Sequence, residues 1–139
     1  MSSDVTVVAE SAELPPNLQV PTSILVGTIR YRITCDEEEW LRIEHRSKTS
    51  GYYGHTTNLD ATIWLNPASS PDVLRLTLWH EALHAVMESA AGCPEWTELG
   101  EDRATREETV IRRIESPTLA LLRDNPELVA YLNAPSGQT

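Results

Sequence analysis

Two histidines with a glutamate between them are the residues whose types and spacing point most directly to chemistry. They form the run His80, Glu81, Ala82, Leu83 and His84. On an α-helix, positions four apart lie on one face, one turn above the other. Two imidazoles placed in this way can bind one metal ion through their ring nitrogens. The spacing therefore predicts a Zn²⁺ site with one ion per chain, held in part by His80 and His84.

The glutamate of this run has the position expected of a catalytic base. Glu81 lies about 100° further round the helix than His80, so it makes a poor third ligand but can reach a metal-bound water. Zinc lowers the pKa of such a water toward roughly 7, and a carboxylate can then accept its proton. The same carboxylate can return the proton to a leaving amine. We therefore expect Glu81 to be the catalytic residue of a hydrolase.

The alternative interpretation treats the two histidines as hydrogen-bonded core residues. Buried polar side chains need partners. In this apolar helix, three such side chains (His80, Glu81 and His84) would have to be satisfied at once. The metal site is the simpler explanation of the pattern.

The third protein ligand of a catalytic zinc is left open by the sequence. Upstream of the motif stand His45 and His55, and no histidine follows His84. The candidates downstream are all acidic and lie between positions 88 and 127.

Helical spacing favours one of these acids. Glu107 precedes the apolar positions 110, 111 and 114 at intervals that place it on their core-facing stripe. Glu108 stands three residues after Thr105, where a capping-box glutamate turns back to the start of its own helix. We predict Glu107 as the third metal ligand, with Glu108 as the alternative. An acidic first turn without any ligand role would give the same pattern.

The motif helix has clear predicted ends. Ser70 is a good N-cap, Pro71 suits the first helical position, and Asp72 adds favourable charge. Gly92 and Pro94 predict where the helix stops. About twenty residues with a helical apolar pattern lie between these signals, and the motif falls in their middle.

The remaining elements predict a small sheet and further helices. One strand is expected within residues 23–33, and a hairpin within residues 52–65. Asp36 can cap a helix between them. Helices are predicted to begin at Thr105 and to restart at Ser116-Pro117 and again at Asn125-Pro126. This pattern predicts an α+β domain whose three strands are mostly antiparallel.

Length and composition predict one ordinary globular domain. The chain has 139 residues, of which 40% are hydrophobic and 23% charged. We expect a weakly structured lead over residues 1–20, a single domain over 21–132, and a disordered tail over 133–139. The two cysteines form no C-x-x-C pair, which gives no support to a thiolate zinc site.

Charge and hydropathy narrow the predicted partners. The net charge of −10 repels phosphate backbones, so we expect no nucleic-acid partner. No apolar run approaches the roughly eighteen residues that span a bilayer, so no membrane partner is expected either. The first ten residues lack the Lys or Arg of a secretory signal, which makes the cytoplasm the predicted compartment.

The motif and its flanks resemble a known class of enzymes. A helix with H-E-x-x-H, followed by a glutamate that opens a second helix, is similar to the gluzincin arrangement. A strand ending in Asn66-Pro67 and a following run from Thr77 to Ala85 resemble the ImmA/IrrE-type and phage-encoded zincin domains. The stretches 107–111 and 119–128 also look like those of actinobacteriophage proteins. The resemblance covers roughly residues 50–132.

This resemblance implies a zincin-like fold, in which a small sheet packs on the central motif helix and C-terminal helices close the site. It implies a zinc metallopeptidase with His80, His84 and a downstream glutamate as ligands and Glu81 as base. The strand over residues 61–65 would pair with an extended protein or peptide substrate. A repressor is a common substrate in that family, and the setting would be the cytoplasm of a bacterium or of a phage-infected cell.

Some roles and some rival functions stay open at this point. Tyr52, Tyr53 and His55 are candidates for a group that stabilises the transition state. The chain could instead be a zincin-fold adaptor that binds without proteolysis, or a metal-dependent amidohydrolase. Glu81 argues against the adaptor, because a purely structural metal site needs no general base.

Overall fold

Four short strands and four α-helices carry the described part of the chain. The computed structural model describes residues 19–47, 53–90 and 99–134. The strands are β1 (Ser23–Val26), β2 (Ile29–Thr34), β3 (Gly54–Thr57) and β4 (Thr62–Leu65), and the helices are α1 (Glu37–Ser47), α2 (Pro71–Ala85), α3 (Arg103–Asp124) and α4 (Pro126–Leu132). The predicted α+β class is confirmed. The predicted lead over residues 1–20 falls almost wholly outside these ranges, as do residues 135–139 of the predicted tail.

The sheet is mixed, with the strand order β1-β2-β4-β3. The pairs β1–β2 and β3–β4 are antiparallel, whereas β2 and β4 run parallel. The prediction of three strands was wrong because residues 23–33 form two strands joined by a tight turn. Gly27 takes a φ of 61° there, a left-handed conformation that costs glycine little.

The two faces of the sheet are covered by different helices. Ile63 and Leu65 belong to one fully buried cluster together with Leu78 of α2. Trp64, which lies between them on β4, joins a separate cluster with Trp40 of α1. Because side chains alternate along a strand, α2 packs on one face and α1 on the other. The predicted packing of the sheet on the motif helix is therefore confirmed.

The start of the motif helix agrees with its sequence signals. The Ser70 hydroxyl accepts a hydrogen bond from the Val73 amide at 3.4 Å, and Pro71 takes the first turn. At the other end, α2 passes into a π-helical turn over Val86–Ala90. The predicted stop at Gly92 and Pro94 lies outside the described residues.

The N-cap of helix α3 is Asp102, three residues before the predicted cap Thr105. The Asp102 carboxylate caps it, accepting hydrogen bonds from the Thr105 amide at 2.8 Å and the Thr105 hydroxyl at 2.9 Å. Thr105 therefore cannot open a capping box, and Glu108 instead pairs with Arg112 at 2.9 Å. The predicted capping role of Glu108 was wrong because Asp102 satisfies the orphan amides first.

The predicted restart at Ser116-Pro117 was also wrong. Helix α3 continues through Pro117, although proline removes one helical hydrogen bond and clashes with the preceding turn. Beyond it Leu121 is fully buried in the main core, and we attribute the continuity to that packing. The restart at Asn125-Pro126 is confirmed as the start of α4.

The edge of the sheet at β1 is held by a side chain. Asn125 lies between α3 and α4 and is 7% exposed. Its oxygen accepts a hydrogen bond from the Leu25 amide, and its nitrogen donates to the Leu25 carbonyl, both at 2.7 Å. The other edge is β3, and no further strand lies beside it in the described chain.

None of the helices over residues 19–47, 53–90 and 99–134 is long and apolar enough to cross a membrane.

Candidate metal and active site

The two histidines of the motif converge on one point at the protein surface. His80 and His84 project from α2 one turn apart, and both side chains are exposed. Their Nε2 atoms lie 3.2 Å apart. The rings meet edge to face, with centroids 4.8 Å apart and planes at 72°. The two nitrogens therefore face a common position, as the spacing in the sequence predicted.

This separation suits a shared zinc ion. Histidine nitrogens lie about 2.0–2.1 Å from zinc, so two nitrogens on one tetrahedral ion stand roughly 3.3 Å apart. The observed 3.2 Å matches that distance. Exposure of both rings also leaves an approach for the ion and for a substrate. The histidine pair thus fits two of the three protein ligands of a catalytic zinc.

Glu81 lies beside the pair but turns into the protein. Its side chain is largely buried, with 6% of the residue exposed. The Thr56 hydroxyl on β3 lies 2.5 Å from the Glu81 Oε2 atom and 3.2 Å from the Glu81 backbone carbonyl. A hydrogen bond from a hydroxyl to an ionised carboxylate is short and strong. The hydrogen bond thereby ties the Glu81 carboxylate to β3, on the same helix as the two imidazoles.

A glycine brings β3 close enough for this contact. A Cβ atom built on Gly54 would lie 2.7 Å from the Thr77 Cγ2 atom, 3.0 Å from the Glu81 Cγ atom and 3.1 Å from the Trp64 carbonyl. Separations below about 3.0 Å are not tolerated by real side chains. The missing side chain at Gly54 therefore sets how near the strand lies to the motif helix.

Within the described part of the chain β3 is an edge strand, and its backbone presents hydrogen-bonding groups on its outer side. The Tyr53 carbonyl accepts a bond from the Asn66 amide at 2.8 Å, and in an antiparallel ladder such bonded pairs recur at every second residue. Gly54 and Thr56 fall between these pairs, so their N–H and C=O groups point away from β4. The same two residues approach Glu81, Thr56 through its hydroxyl and Gly54 through its backbone.

The strand expected to pair with a substrate was therefore the wrong one. Strand β4, within the predicted stretch 61–65, lies between β2 and β3. Its neighbours occupy both of its edges, and its side chains belong to the two buried clusters. Among the strands that the structure describes, β3 lies one position further out and has no neighbour on its outer side.

The structure does not bring the predicted third ligand to the histidines. Within residues 19–47, 53–90 and 99–134, no group of three or more His, Cys, Asp or Glu side chains is placed to hold a metal ion. Glu107 is exposed near the start of α3, where it lines a surface pocket with Leu99 and Arg103. The apolar stripe that was to carry it inward is not buried, since Ile111 has 45% of its surface accessible and Val110 and Ile114 are only half-buried. Glu108, the alternative, is bound to Arg112.

Among the described residues, the upstream candidates for the third ligand and for transition-state stabilisation do not lie at the two histidines either. His55 faces α1, where its ring lies 5.4 Å from that of Trp40, on the side of the sheet opposite Glu81. His45 lies in the last turn of α1. Tyr53 is 61% exposed, and Tyr52 lies outside the described residues. His55 is thereby removed as a transition-state-stabilising group.

Two residues of the site were missed by the sequence analysis, namely Gly54 and Thr56. Both face α2 because they lie two positions apart on one strand. Their only signal in the sequence is this alternation, and it carries no information about which helix the strand will meet. Their roles depend on a contact between segments that are more than twenty residues apart.

Comparisons of the chain with protein-family models, with curated proteins and with solved structures gave no match.

Proposed function

We propose that this chain is a zinc-dependent metallopeptidase that hydrolyses peptide bonds in a protein or peptide substrate. In this proposal His80 and His84 bind the ion and Glu81 is the general base. The observation that carries it is the separation of 3.2 Å between the two Nε2 atoms, on a helix whose intervening Glu81 is buried. A buried glutamate that follows the first histidine of such a pair in the sequence can act as the general base.

The chemistry divides between the ion and the chain. Zinc, when bound, supplies a Lewis acid that lowers the pKa of water and polarises a carbonyl oxygen. The Glu81 carboxylate accepts the proton of the attacking water and passes it to the leaving amine. Because Glu81 is buried in a fixed position, its carboxylate needs little reorientation before it accepts that proton.

The free edge of β3 supports a peptide as the substrate. An extended segment could add to this edge through the backbone groups of Gly54 and Thr56. Such pairing would place its backbone beside Glu81 without requiring a particular side chain. The net charge of −10 is compatible with a basic substrate segment. The family resemblance adds a cytoplasmic bacterial or phage setting and a repressor as one substrate to test.

The third ligand in this proposal is a carboxylate, with Glu107 as the candidate and Glu108 as its alternative. For Glu107 to bind the ion, the first turns of α3 must approach His80 and His84 more closely than they do here. Glu95 and Glu98, which the sequence also offers, lie outside the described residues.

The test compares the wild-type protein with Glu81→Gln. We expect about one zinc per purified chain in both. With an internally quenched peptide library, the wild type should cleave and the variant should lose about 10²–10⁴-fold in rate, because glutamine cannot accept the proton. Metal-free but folded wild-type protein would contradict the proposal. Zinc-bound wild type without cleavage would favour the adaptor, and release of ammonia from side-chain amides would favour the amidohydrolase.

A further inference from the structure

We infer that Thr56 is a positioning residue, whose hydroxyl fixes the Glu81 carboxylate for proton transfer. The inference rests on the proposed function and adds to it a residue on a separate element. Thr56 lies on edge strand β3, twenty-five positions before Glu81 in the sequence. Its side chain crosses from the sheet to the motif helix.

The first argument is that this carboxylate has no other polar partner in the described chain. Glu81 forms none of the ion pairs among those residues. Its side-chain hydrogen bond is the one from Thr56, at 2.5 Å. A glutamate side chain has several rotatable bonds, and ordering it has an entropic cost. The Thr56 hydroxyl therefore determines the position of the Glu81 carboxylate.

The second argument concerns the two acceptors within reach of that hydroxyl. Thr56 Oγ1 is 2.5 Å from the Glu81 carboxylate and 3.2 Å from the backbone carbonyl of the same residue. A hydroxyl has one proton, so the carbonyl is the alternative acceptor on the helix itself. Where the glutamate side chain moves away, the hydroxyl can donate to this carbonyl instead and so stay bonded to α2.

The third argument is that Thr56 also belongs to the proposed substrate edge. Its side chain faces Glu81, while its backbone N–H and C=O point to the free edge of β3. A peptide would pair with the backbone of Thr56, and the same residue's side chain holds the base. The position of the peptide along β3 would therefore be fixed relative to Glu81. Thr56 thus links the position of the substrate to the position of Glu81. Catalysis needs this link, because a misplacement of about 1 Å can slow the reaction substantially.

The test uses three substitutions on one strand. Thr56→Val keeps the shape and removes the hydroxyl, whereas Thr56→Ser keeps the hydroxyl. Thr57→Val is the matched control, because Thr57 is next in sequence but bonds instead to the Asp60 side chain at 3.3 Å. With the peptide that the wild type cleaves best, we expect Thr56→Val to lower kcat roughly tenfold to a hundredfold. KM, zinc content and melting temperature should stay near the wild-type values. Thr56→Ser should recover most of kcat, and Thr57→Val should match the wild type.

A second readout is independent of zinc and activity. In crystal structures of the zinc-free proteins, the Glu81 carboxylate should leave its wild-type position in Thr56→Val and keep it in Thr56→Ser. Should Thr56→Val fold poorly, Thr56→Ala replaces it in both measurements, since it leaves room for water.

The outcomes separate this inference from the function on which it rests. An unmoved Glu81 and an unchanged kcat in Thr56→Val would overturn the positioning role while the peptidase stands. A wild type that binds zinc but cleaves no peptide would overturn the proposed function, and the position of Glu81 in the crystals would still decide the role of Thr56. A loss confined to KM or to zinc content would assign Thr56 to binding and overturn the inference.

Discussion

At the scale of single residues, Glu39 shows how a carboxylate is fixed outside the candidate site. It stands in the first turn of α1 and forms an ion pair with Arg32 of β2 at 3.0 Å. The Thr34 hydroxyl donates a further hydrogen bond to it. These bonds from Arg32 and Thr34 hold the pKa of Glu39 below its ordinary value. The side chain is about one-third exposed, so solvent screens part of the interaction.

This lowered pKa predicts a small acid-dependent loss of stability. A carboxyl group whose pKa is lower in the folded state stabilises the protein above its ordinary pKa of 4.5, and the contribution is lost as the pH falls through the lower folded value. Glu39→Gln should therefore reduce the free energy of unfolding at pH 7 and have less effect near pH 3. Urea denaturation at the two pH values measures this. An equal effect at both would show that Glu39 acts through packing rather than through charge.

At the scale of elements, the contact between β3 and α2 decides whether the site exists. The motif helix supplies the histidines and the base, and the strand supplies the group that holds the base. Gly54 allows the two backbones to approach, and Thr77 stands opposite it on the helix. The helix alone would leave Glu81 without its partner.

Gly54→Ala should therefore destabilise the protein. Its new methyl group would lie 2.7 Å from the Thr77 Cγ2 atom, so the strand must move. We expect a loss of about 1–3 kcal/mol in the free energy of unfolding, as for other overpacked sites. Thr77→Ser removes the opposing methyl, so the double variant should be more stable than the sum of the two single changes predicts. Strict additivity in chemical denaturation would show that the close approach at Gly54 is not limiting.

The opposite edge of the sheet leads to a second prediction. Asn125 bonds to the amide and carbonyl of Leu25 and also donates to the Leu121 carbonyl at 2.8 Å. Asn125→Ala would leave these partly or fully buried backbone groups without their partner, which should cost about 2–4 kcal/mol. Asn133→Ala is the matched control, because that side chain is exposed and its loss should cost under about 0.5 kcal/mol. Similar losses in urea denaturation for the two variants would show that the bonds to Leu25 contribute little.

At the scale of the whole molecule, metal binding should stabilise the folded chain. The histidine pair is formed only when α2 is folded, so zinc binds the native state in preference to the unfolded one. At free zinc one hundred times the Kd, the free energy of unfolding should rise by about 2.7 kcal/mol. Thermal or urea denaturation with zinc and with a chelator measures this. His84→Ala should lose the response, because it removes one of the two converging nitrogens. An equal response in that variant would place the ion elsewhere.

The same assay addresses the third ligand. If Glu107 binds the ion, Glu107→Ala should reduce the stabilisation by zinc more than Glu108→Ala does. Glu108 is the fair control, since it is a neighbouring exposed acid that pairs with Arg112. The reverse order would exchange the two assignments, and no difference would exclude both residues.

What the sequence determined about this chain is local. His80, Glu81 and His84 are ordered by the pitch of one helix, so their relative directions follow from spacing alone. The Ser70 cap and the α4 start at Pro126 are likewise short-range effects of hydrogen bonding and of proline geometry. These features could be predicted because each depends on residues within about one helical turn.

The tertiary structure decided everything that depends on which segments meet. The pairing of β2 with β4 and the place of β3 at the edge of the described sheet arise from the order of strands, which no local pattern encodes. The continuity of α3 through Pro117 goes with buried packing further along the helix. Thr56 meets Glu81 only because Gly54 lets a distant strand lie against α2. The motif thus provides the donors and the base, and the fold provides the contact that holds the base in place.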